Sequence, residues 1–145
     1  RDEGENWELI TRSPVLLWPK DFCIDSKNSR EIYVGAADAR GGNEQGGLWR
    51  TTDGGQSWER IARKGPQHFG ATLHPRREGW IYMTLCEGAP EAGLWMSKDR
   101  GKTWAPFDDL PFANIQRLTF DPADDRVMYV TTFGGSVWKG PVEPR

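Results

Sequence analysis

Short apolar runs, bounded by glycine, proline and polar residues, follow one another along the chain and predict β-strands. Two successive units contain four such runs each, and a third unit contains three. Residues 7–12 form a further run that predicts the outer, fourth strand of a sheet whose other strands lie upstream. The predicted strands of the three units are 21–25, 31–36, 47–51 and one from Ser57, then 69–73, 80–85, 93–97 and 104–107, then 115–120, 127–132 and 136–139.

The units are repeats of one another. Tyr33 and Tyr82 are 49 residues apart, Tyr82 and Tyr129 are 47 apart, and Trp49 and Trp95 are 46 apart. Such nearly constant offsets indicate that insertions are confined to the loops between strands. The sequence therefore predicts an all-β repeat protein.

A six-residue motif follows the third run of each complete unit. It is Asp53-Gly-Gly-Gln-Ser57-Trp58 in the first unit and Asp99-Arg-Gly-Lys-Thr103-Trp104, 46 residues later, in the second. Residues 2–7 are a degenerate copy with Asn6 at the hydroxyl position. A carboxylate that accepts backbone N–H groups, a glycine with positive φ and a closing hydroxyl make a self-contained turn. The predicted structural members are Asp53, Gly55, Ser57, Trp58, Asp99, Gly101, Thr103 and Trp104.

The extended pattern, from Thr51 to Trp58 and from Ser97 to Trp104, resembles the Asp-box, also called the BNR repeat. Proteins with this repeat are β-propellers, among them sialidases, xyloglucan-cleaving endoglucanases, sortilins and a photosystem assembly factor. The resemblance implies blades of four antiparallel strands, with the boxes lying away from any active site. It divides the chain into the end of one blade (1–12), two blades (13–62 and 63–107) and a last, incomplete blade (108–145).

Three repeats cannot close a propeller, because a ring needs roughly four to eight blades. The last unit stops after three strands, which resembles a final blade whose fourth strand comes from the other terminus of the protein. We therefore expect a C-terminal fragment of a larger propeller, with the remaining blades as its partners. Alone, the chain should expose apolar blade faces and associate with itself or with the missing blades.

The composition excludes several classes of function. The chain holds 17 Gly, 10 Pro and 8 Trp in 145 residues, which fits many tight turns and a recurring aromatic residue. A formal net charge of −2, without a basic cluster longer than two, argues against a nucleic-acid partner. We expect no membrane span, since no run of 18 apolar residues occurs, and no metal or cofactor, since no such motif occurs. The resemblance implies a secreted, periplasmic or otherwise extracytoplasmic protein.

The two cysteines, Cys23 and Cys86, fall at different points of successive repeats. The apolar core of a sheet tolerates a thiol well, so we favour free buried thiols over a disulfide between them.

The resemblance places one group of side chains at the mouth of the central channel, where the loops entering each first strand and those after each second strand gather. Glycoside hydrolysis needs two carboxylates, an exposed aromatic ring can stack on a sugar, and an arginine can bind a carboxylate through two hydrogen bonds. The alternative is that these charges are solvated loop residues and that Trp18 plugs two blades together. The ligand-binding candidates are Trp18, Lys20, Asp21, Asp38, Arg40, Glu44, Glu87, Arg117 and Phe133.

The first strands align on the turn residues Asp25, His74 and Asp121. In that alignment Asp21 and Arg117 fall at the same depth, so an acid and a base should share one level of the channel.

Two functions remain open. One is a carbohydrate-active, glycoside-hydrolase-like protein whose sugar site lies at the mouth. The other is a non-catalytic scaffold for protein binding, as the likeness to sortilins and to the assembly factor implies. The arginine triad, Tyr–Glu pair and acid of sialidases, and the acids of the xyloglucan-cleaving enzymes, match no residue here, so no catalytic residue is assigned and enzymatic activity stays open.

Overall fold

The computed structural model describes residues 4–11, 16, 18–38, 45–63, 67–85, 91–108 and 110–144. The described residues form three antiparallel sheets, in each of which the strands lie in sequence order. The first sheet contains β1 (Pro19–Ile24), β2 (Ile32–Ala36), β3 (Gly47–Thr51) and β4 (Glu59–Ala62). The second contains β5 (His68–Leu73), β6 (Ile81–Leu85), β7 (Gly93–Ser97) and β8 (Ala105–Pro106), and the third contains β9 (Ile115–Phe120), β10 (Val127–Thr132) and β11 (Val137–Pro141).

This arrangement confirms the predicted all-β class with antiparallel four-stranded units. β1 begins two residues earlier than predicted, because Pro19 pairs with Ala36 through a bulge before Asp21. β8 is shorter than predicted, and it ends at Pro106, which has no N–H to donate to a ladder. Residues 7–11 were expected to be a strand, but they pair with no strand of the described part of the chain.

The third strands carry tryptophans at equivalent places. Each ring donates its Nε1–H to a carbonyl in the loop before its own strand, and this bond ties the loop to the sheet. The pairs are Trp49 with Gln45 at 3.0 Å, Trp95 with Glu91 at 2.9 Å and Trp138 with Gly135 at 2.6 Å.

Successive sheets pack face to face, because alternate side chains of a strand point to opposite faces. Between the first and second sheets the buried apolar residues are Tyr33, Leu48, Ala62, Ala71, Ile81, Met83 and Leu85. Between the second and third sheets they are Tyr82, Leu94, Met96, Phe107, Ile115, Leu118, Met128, Val130 and Val142. Tyr33 and Tyr82 thus face the following sheet from equivalent places.

Two outward faces remain at the ends of this stack. The leading face, on the first sheet, is apolar and contains Phe22, Ile24, Ile32, Val34 and Trp49, of which Phe22 is 62% exposed. The trailing face, on the third sheet, is more polar and contains Thr119, Tyr129, Thr131 and Lys139.

Candidate functional site

Asp53 is the centre of the first box turn. One of its carboxylate oxygens accepts the Ser57 backbone N–H at 3.0 Å and the Thr51 hydroxyl at 2.7 Å, and the other accepts the Ser57 hydroxyl at 2.6 Å. The Thr51 hydroxyl oxygen accepts the Gly55 N–H at 2.9 Å, and the Trp58 Nε1–H donates to the Gly55 carbonyl at 3.0 Å. The bonds from Ser57, followed by that from Thr51, hold the pKa of Asp53 far below its usual range.

Asp99 repeats this geometry in the second box. It accepts the Thr103 N–H at 2.9 Å, the Thr103 hydroxyl at 2.6 Å and the Ser97 hydroxyl at 2.8 Å. The Ser97 hydroxyl oxygen accepts the Gly101 N–H at 2.8 Å, and Trp104 donates its Nε1–H to the Gly101 carbonyl at 3.0 Å. Both carboxylates are therefore engaged inside their own turns.

The box glycines let each turn pack closely against an earlier part of the chain. Gly55 has φ +97°, and a Cβ there would lie 2.5 Å from the carbonyl oxygen of Ile10. Gly101 has φ +84°, and a Cβ there would lie 2.8 Å from the Cδ1 of Ile61 in β4. Each box thus contacts the residue three positions after the tryptophan of the preceding repeat.

The degenerate copy keeps part of this pattern. Asp2 lies outside the described residues, while Gly4 has φ +90°, close to the values of the two box glycines. Trp7, however, is 94% exposed. The degenerate copy therefore does not pack its tryptophan against a sheet of the described chain, as the two complete boxes pack Trp58 and Trp104.

The mouth edge is the end of the sheets at which β1, β5 and β9 begin. There the Arg117 Nε donates to an Asp21 carboxylate oxygen at 2.9 Å. The two residues belong to the third and first sheets, and the ion pair crosses the second sheet at Gly70, where an added Cβ would lie 2.9 Å from the Asp21 Cβ. Because Gly70 has no side chain, Arg117 can reach Asp21 across the second sheet, and residues of all three sheets meet at this point of the mouth edge.

Aromatic rings lie near this pair. Trp18 is 40% exposed, and the Lys20 ammonium lies 5.5 Å from its ring and 5.9 Å from the ring of Phe69. Phe133, after β10, is 64% exposed, and its N–H donates to the Asn114 carbonyl at 2.9 Å. Both predicted aromatic candidates thus keep a ring open to solvent at the mouth edge.

Asp38 holds the base of the loop after β2. Its two carboxylate oxygens accept from the two terminal nitrogens of Arg63, each at 3.1 Å, and it also accepts the Gly46 N–H. The Arg63 bonds lower the pKa of Asp38. His68, fully buried beside them at the start of β5, has its pKa lowered by burial to about 4.

The remaining candidates Arg40, Glu44 and Glu87 lie outside the described residues. Within the described ranges, no group of three or more His, Cys, Asp or Glu side chains is placed to hold a metal ion. Nor do those ranges include a helix with the length and apolarity that a membrane crossing requires.

The predicted turn residues lie at the opposite end of the first strands. The Asp25 carboxylate accepts the Lys27 N–H at 2.7 Å, and the His74 Nδ1 accepts the Arg77 N–H at 3.1 Å. The Asp121 carboxylate does the same with the Ala123 N–H at 2.9 Å. The predicted alignment of these three turns is confirmed, and His74 needs no functional role to explain its place.

One buried acid, Glu31, is not among the predicted site residues. Glu31 lies before β2, almost fully buried, where it accepts the Tyr33 hydroxyl at 2.6 Å and lies 2.8 Å from an Arg50 terminal nitrogen. The pairing of the predicted strands could have indicated this acid, because Tyr33 and Arg50, which both contact Glu31, are opposite each other across β2 and β3.

A second cluster was also missed. Trp80 lies between the Arg77 guanidinium, 4.3 Å from its ring, and the Lys98 ammonium, 4.4 Å from it. Both cations bind Glu143, which follows β11. These contacts join the second and third sheets, and Glu143 had no sequence signal because it lies in a tail without a repeat partner.

Cys23 is a free thiol, as predicted, and burial raises its pKa to about 12. Cys86 lies outside the described residues.

Comparison with solved structures identifies the sheets. A GH74 enzyme from Niastella koreensis superposes on 83% of this chain with a TM-score of 0.66 at 19% identity, over 19% of its own length. The GH74 xyloglucanase of Xanthomonas campestris gives a TM-score of 0.61 at 19% identity, over 83% of this chain and 20% of that one. YCF48 of Cyanidioschyzon merolae gives 0.56 at 16% identity, over 84% of this chain and 33% of that one. At these identities the likeness shows the fold, and the three sheets are β-propeller blades.

Comparison with sequences places the chain more narrowly. It is 37% identical over 68 residues to vacuolar protein sorting/targeting protein 10 of Sordaria macrospora, a match that covers 46% of this chain and 4% of that protein. The chain therefore corresponds to a small part of this relative. The family model described as sortilin, neurotensin receptor 3, matches residues 46–139, which include both boxes and most of the third sheet. The chain belongs to the sortilin–Vps10 family of Asp-box β-propellers.

Proposed function

We propose that this chain is part of a non-catalytic binding propeller of the sorting-receptor type, which contacts a protein or peptide ligand at its mouth edge. The observation that carries the proposal is the pairing of acids with arginines at this edge. Two acids there are each bound to an arginine, Asp21 to Arg117 and Asp38 to Arg63. The names of the relatives, a receptor and a sorting or targeting protein, support the same conclusion.

Glycoside hydrolysis would need one of these carboxyl groups to stay protonated as a general acid. The Arg63 bonds act in the opposite direction, since they lower the pKa of Asp38. The Asp21 carboxylate lies 2.9 Å from the Arg117 Nε and is engaged in that ion pair. These two acids are therefore suited to holding the mouth edge in shape.

The surface around them suits a protein ligand. Exposed aromatic rings and arginines contribute most to the centres of protein interfaces. The mouth edge offers the exposed rings of Trp18 and Phe133 beside the mostly exposed Arg117 and Lys20. An extended peptide could place an apolar side chain on a ring and an acidic group near the cations.

The proposal is tested by panning a displayed library of random linear peptides against the chain. Enriched peptides should bind the wild-type chain and should lose at least about 10-fold in affinity with Trp18→Ser or Lys20→Glu. Arg76→Ser, at the opposite end of the sheets, is the matched control and should leave affinity unchanged. Failure to enrich any peptide, or enrichment that ignores both mouth variants, would contradict the proposal.

The exposed rings of Trp18 and Phe133 also favour a second candidate, a carbohydrate site in a glycoside-hydrolase-like propeller. A glycan array and a hydrolysis screen that includes xyloglucan distinguish the two candidates. Glycan binding that Trp18→Ser abolishes, without peptide binding, would establish the second candidate in place of the first.

We further propose an extracytoplasmic or lumenal location, as a sorting-receptor role would require. Membership of the sortilin–Vps10 family supports it. Fractionation of cells that produce the tagged parent protein tests it, and a purely cytosolic signal would contradict it.

A further inference from the structure

The first strand of each blade contains a β-bulge at its second residue, close to the mouth edge. One extra residue interrupts the pairing with the second strand, and these bulge residues are Lys20, Phe69 and Gln116. They are 49 and 47 residues apart, the same offsets that separate the repeated tyrosines. Bulges are common next to functional sites, where they redirect a side chain. A bulge at one place in three blades is therefore a feature of the repeat that can carry a repeated role.

Two of the bulges are fixed against the blade before them. A Cβ at Gly35 in β2 would lie 2.6 Å from the Phe69 carbonyl oxygen, so the bulge of the second blade packs directly on the backbone of the first. Thr84 occupies the equivalent place in β6 and donates its hydroxyl to the Gln116 carbonyl at 3.2 Å. Side chains that project from a backbone held in this way are preorganised for binding.

The bulge residues differ in chemistry from one blade to the next. Lys20 is exposed, and its ammonium contacts the rings of Trp18 and Phe69. Phe69 and Gln116 are half-buried, and an amide such as that of Gln116 can both donate and accept a hydrogen bond. The mouth edge thus presents a cation, an apolar ring and an amide on three successive blades.

We propose, on the basis of the peptide-binding function proposed above, that the bulge residues select the ligand by contacting alternate residues of an extended peptide. Side chains on one face of an extended chain recur at every second residue, about 6.5 Å apart. The Lys20 ammonium lies 5.9 Å from the Phe69 ring, which is close to this spacing, and Gln116 is at the equivalent place of the next blade. The ligand therefore has an acidic residue at Lys20, an apolar residue at Phe69 and an amide or hydroxyl residue at Gln116, in either chain direction.

The ion pair beside the bulges makes Lys20 the residue that selects the acid. Asp21 and Arg117, each directly after a bulge residue, bind each other, so their charges balance. Lys20 contacts rings and forms no ion pair with a carboxylate of the described residues. Its charge is therefore available to a carboxylate of the ligand.

The first experiment pans a displayed library of random linear peptides against the wild-type chain and against Lys20→Glu. Peptides enriched on the wild type should share an acidic residue two positions from an apolar one. Those enriched on Lys20→Glu should carry lysine or arginine in place of the acid and keep the apolar residue, because opposite charges attract and like charges are excluded. Lys27→Glu, in the turn at the opposite end of β1, is the matched control and should enrich the wild-type pattern.

The second experiment measures the affinities of one enriched peptide and of the same peptide with its acid replaced by lysine. The wild type should prefer the acidic peptide at least about 10-fold, and Lys20→Glu should reverse this preference. An unfolded variant would lose both peptides, so unfolding cannot produce a reversal. Phe69→Leu should keep the affinity for the acidic peptide within about 3-fold, whereas Phe69→Ser should lower it at least about 10-fold.

The specificity role and the peptide-binding function fail in different ways. Enriched peptides without the alternate-residue pattern would overturn the role of the bulge residues while peptide binding itself stands. So would a preference for the acidic peptide that Lys20→Glu leaves unchanged. A chain that enriches no peptide contradicts both.

Discussion

Acidification should destabilise this fold through one buried histidine at the mouth edge. His68 is 0% exposed, and burial lowers its pKa from 6.5 to about 4, with a further contribution from the Arg63 charge that Asp38 partly offsets. The neutral ring is therefore the form that fits the folded chain. The unfolded chain binds the proton more readily, so protonation favours unfolding.

The magnitude follows from linkage between protonation and folding. A group whose folded pKa is depressed contributes stability that is fully present above its unfolded pKa and is lost as the pH falls toward its folded pKa. For His68 the window runs from pH 6.5 to about 4. Within it, at pH 5, the loss relative to pH 7 is about 2 kcal/mol in the free energy of unfolding.

Urea unfolding followed by tryptophan fluorescence at pH 7, 6 and 5 measures this loss, at one fixed protein concentration. His68→Gln removes the titration while keeping a polar side chain, so its free energy of unfolding should fall about 2 kcal/mol less than that of the wild type over this range. The difference between the two chains in how the free energy of unfolding changes with pH is due to His68. His74, whose pKa is also lowered by burial, is present in both chains and cancels. Parallel pH dependences in the two chains would refute the reasoning.

Three further predictions concern the blades. Gly101→Ala should lower the free energy of unfolding by about 2–4 kcal/mol, because this position has a positive φ and contacts the preceding blade. Gly54→Ala, where a Cβ meets nothing within 4 Å, should lower it by only about 1 kcal/mol. Equal losses in denaturation would contradict the role of the box in holding two blades together. Asp99, whose pKa the bonds from Thr103 lower from 3.8 to about 2, contributes stability that is lost as the pH falls between these values, so Asp99→Asn should flatten the acid limb of the wild-type pH–stability curve. With Cys86→Ser as background, native Cys23, whose pKa burial raises to about 12, should react with a thiol reagent at pH 8 at least about 100-fold more slowly than in urea, and equal rates would contradict the raised pKa.

The architecture could be predicted because it depends on local spacing. A box turn is closed by residues within eight positions of one another, from Thr51 to Trp58, so its hydrogen bonds are fixed by a contiguous sequence. The equivalent turns at Asp25 and His74 could be aligned for the same reason.

The mouth edge was harder to predict, since its contacts join distant parts of the chain. The alignment placed Asp21 and Arg117 at one depth, but the reach of Arg117 across a whole blade depends on Gly70, which carries no side chain to suggest a role. The pairing of Asp38 with Arg63 links two loop bases with no shared period, so no pattern could reveal it.

The direction in which the boxes lean has a consequence for biogenesis. Each box glycine touches a residue that precedes it in the chain: Gly101 lies against Ile61 in the outer strand of the blade before it, and Gly55 lies against Ile10. During synthesis the earlier blade has left the ribosome first, so every newly translated turn finds its docking surface already in place. We expect nascent chains arrested after residue 107 to resist protease in the first two blades, and uniform digestion of such chains would show that assembly waits for release.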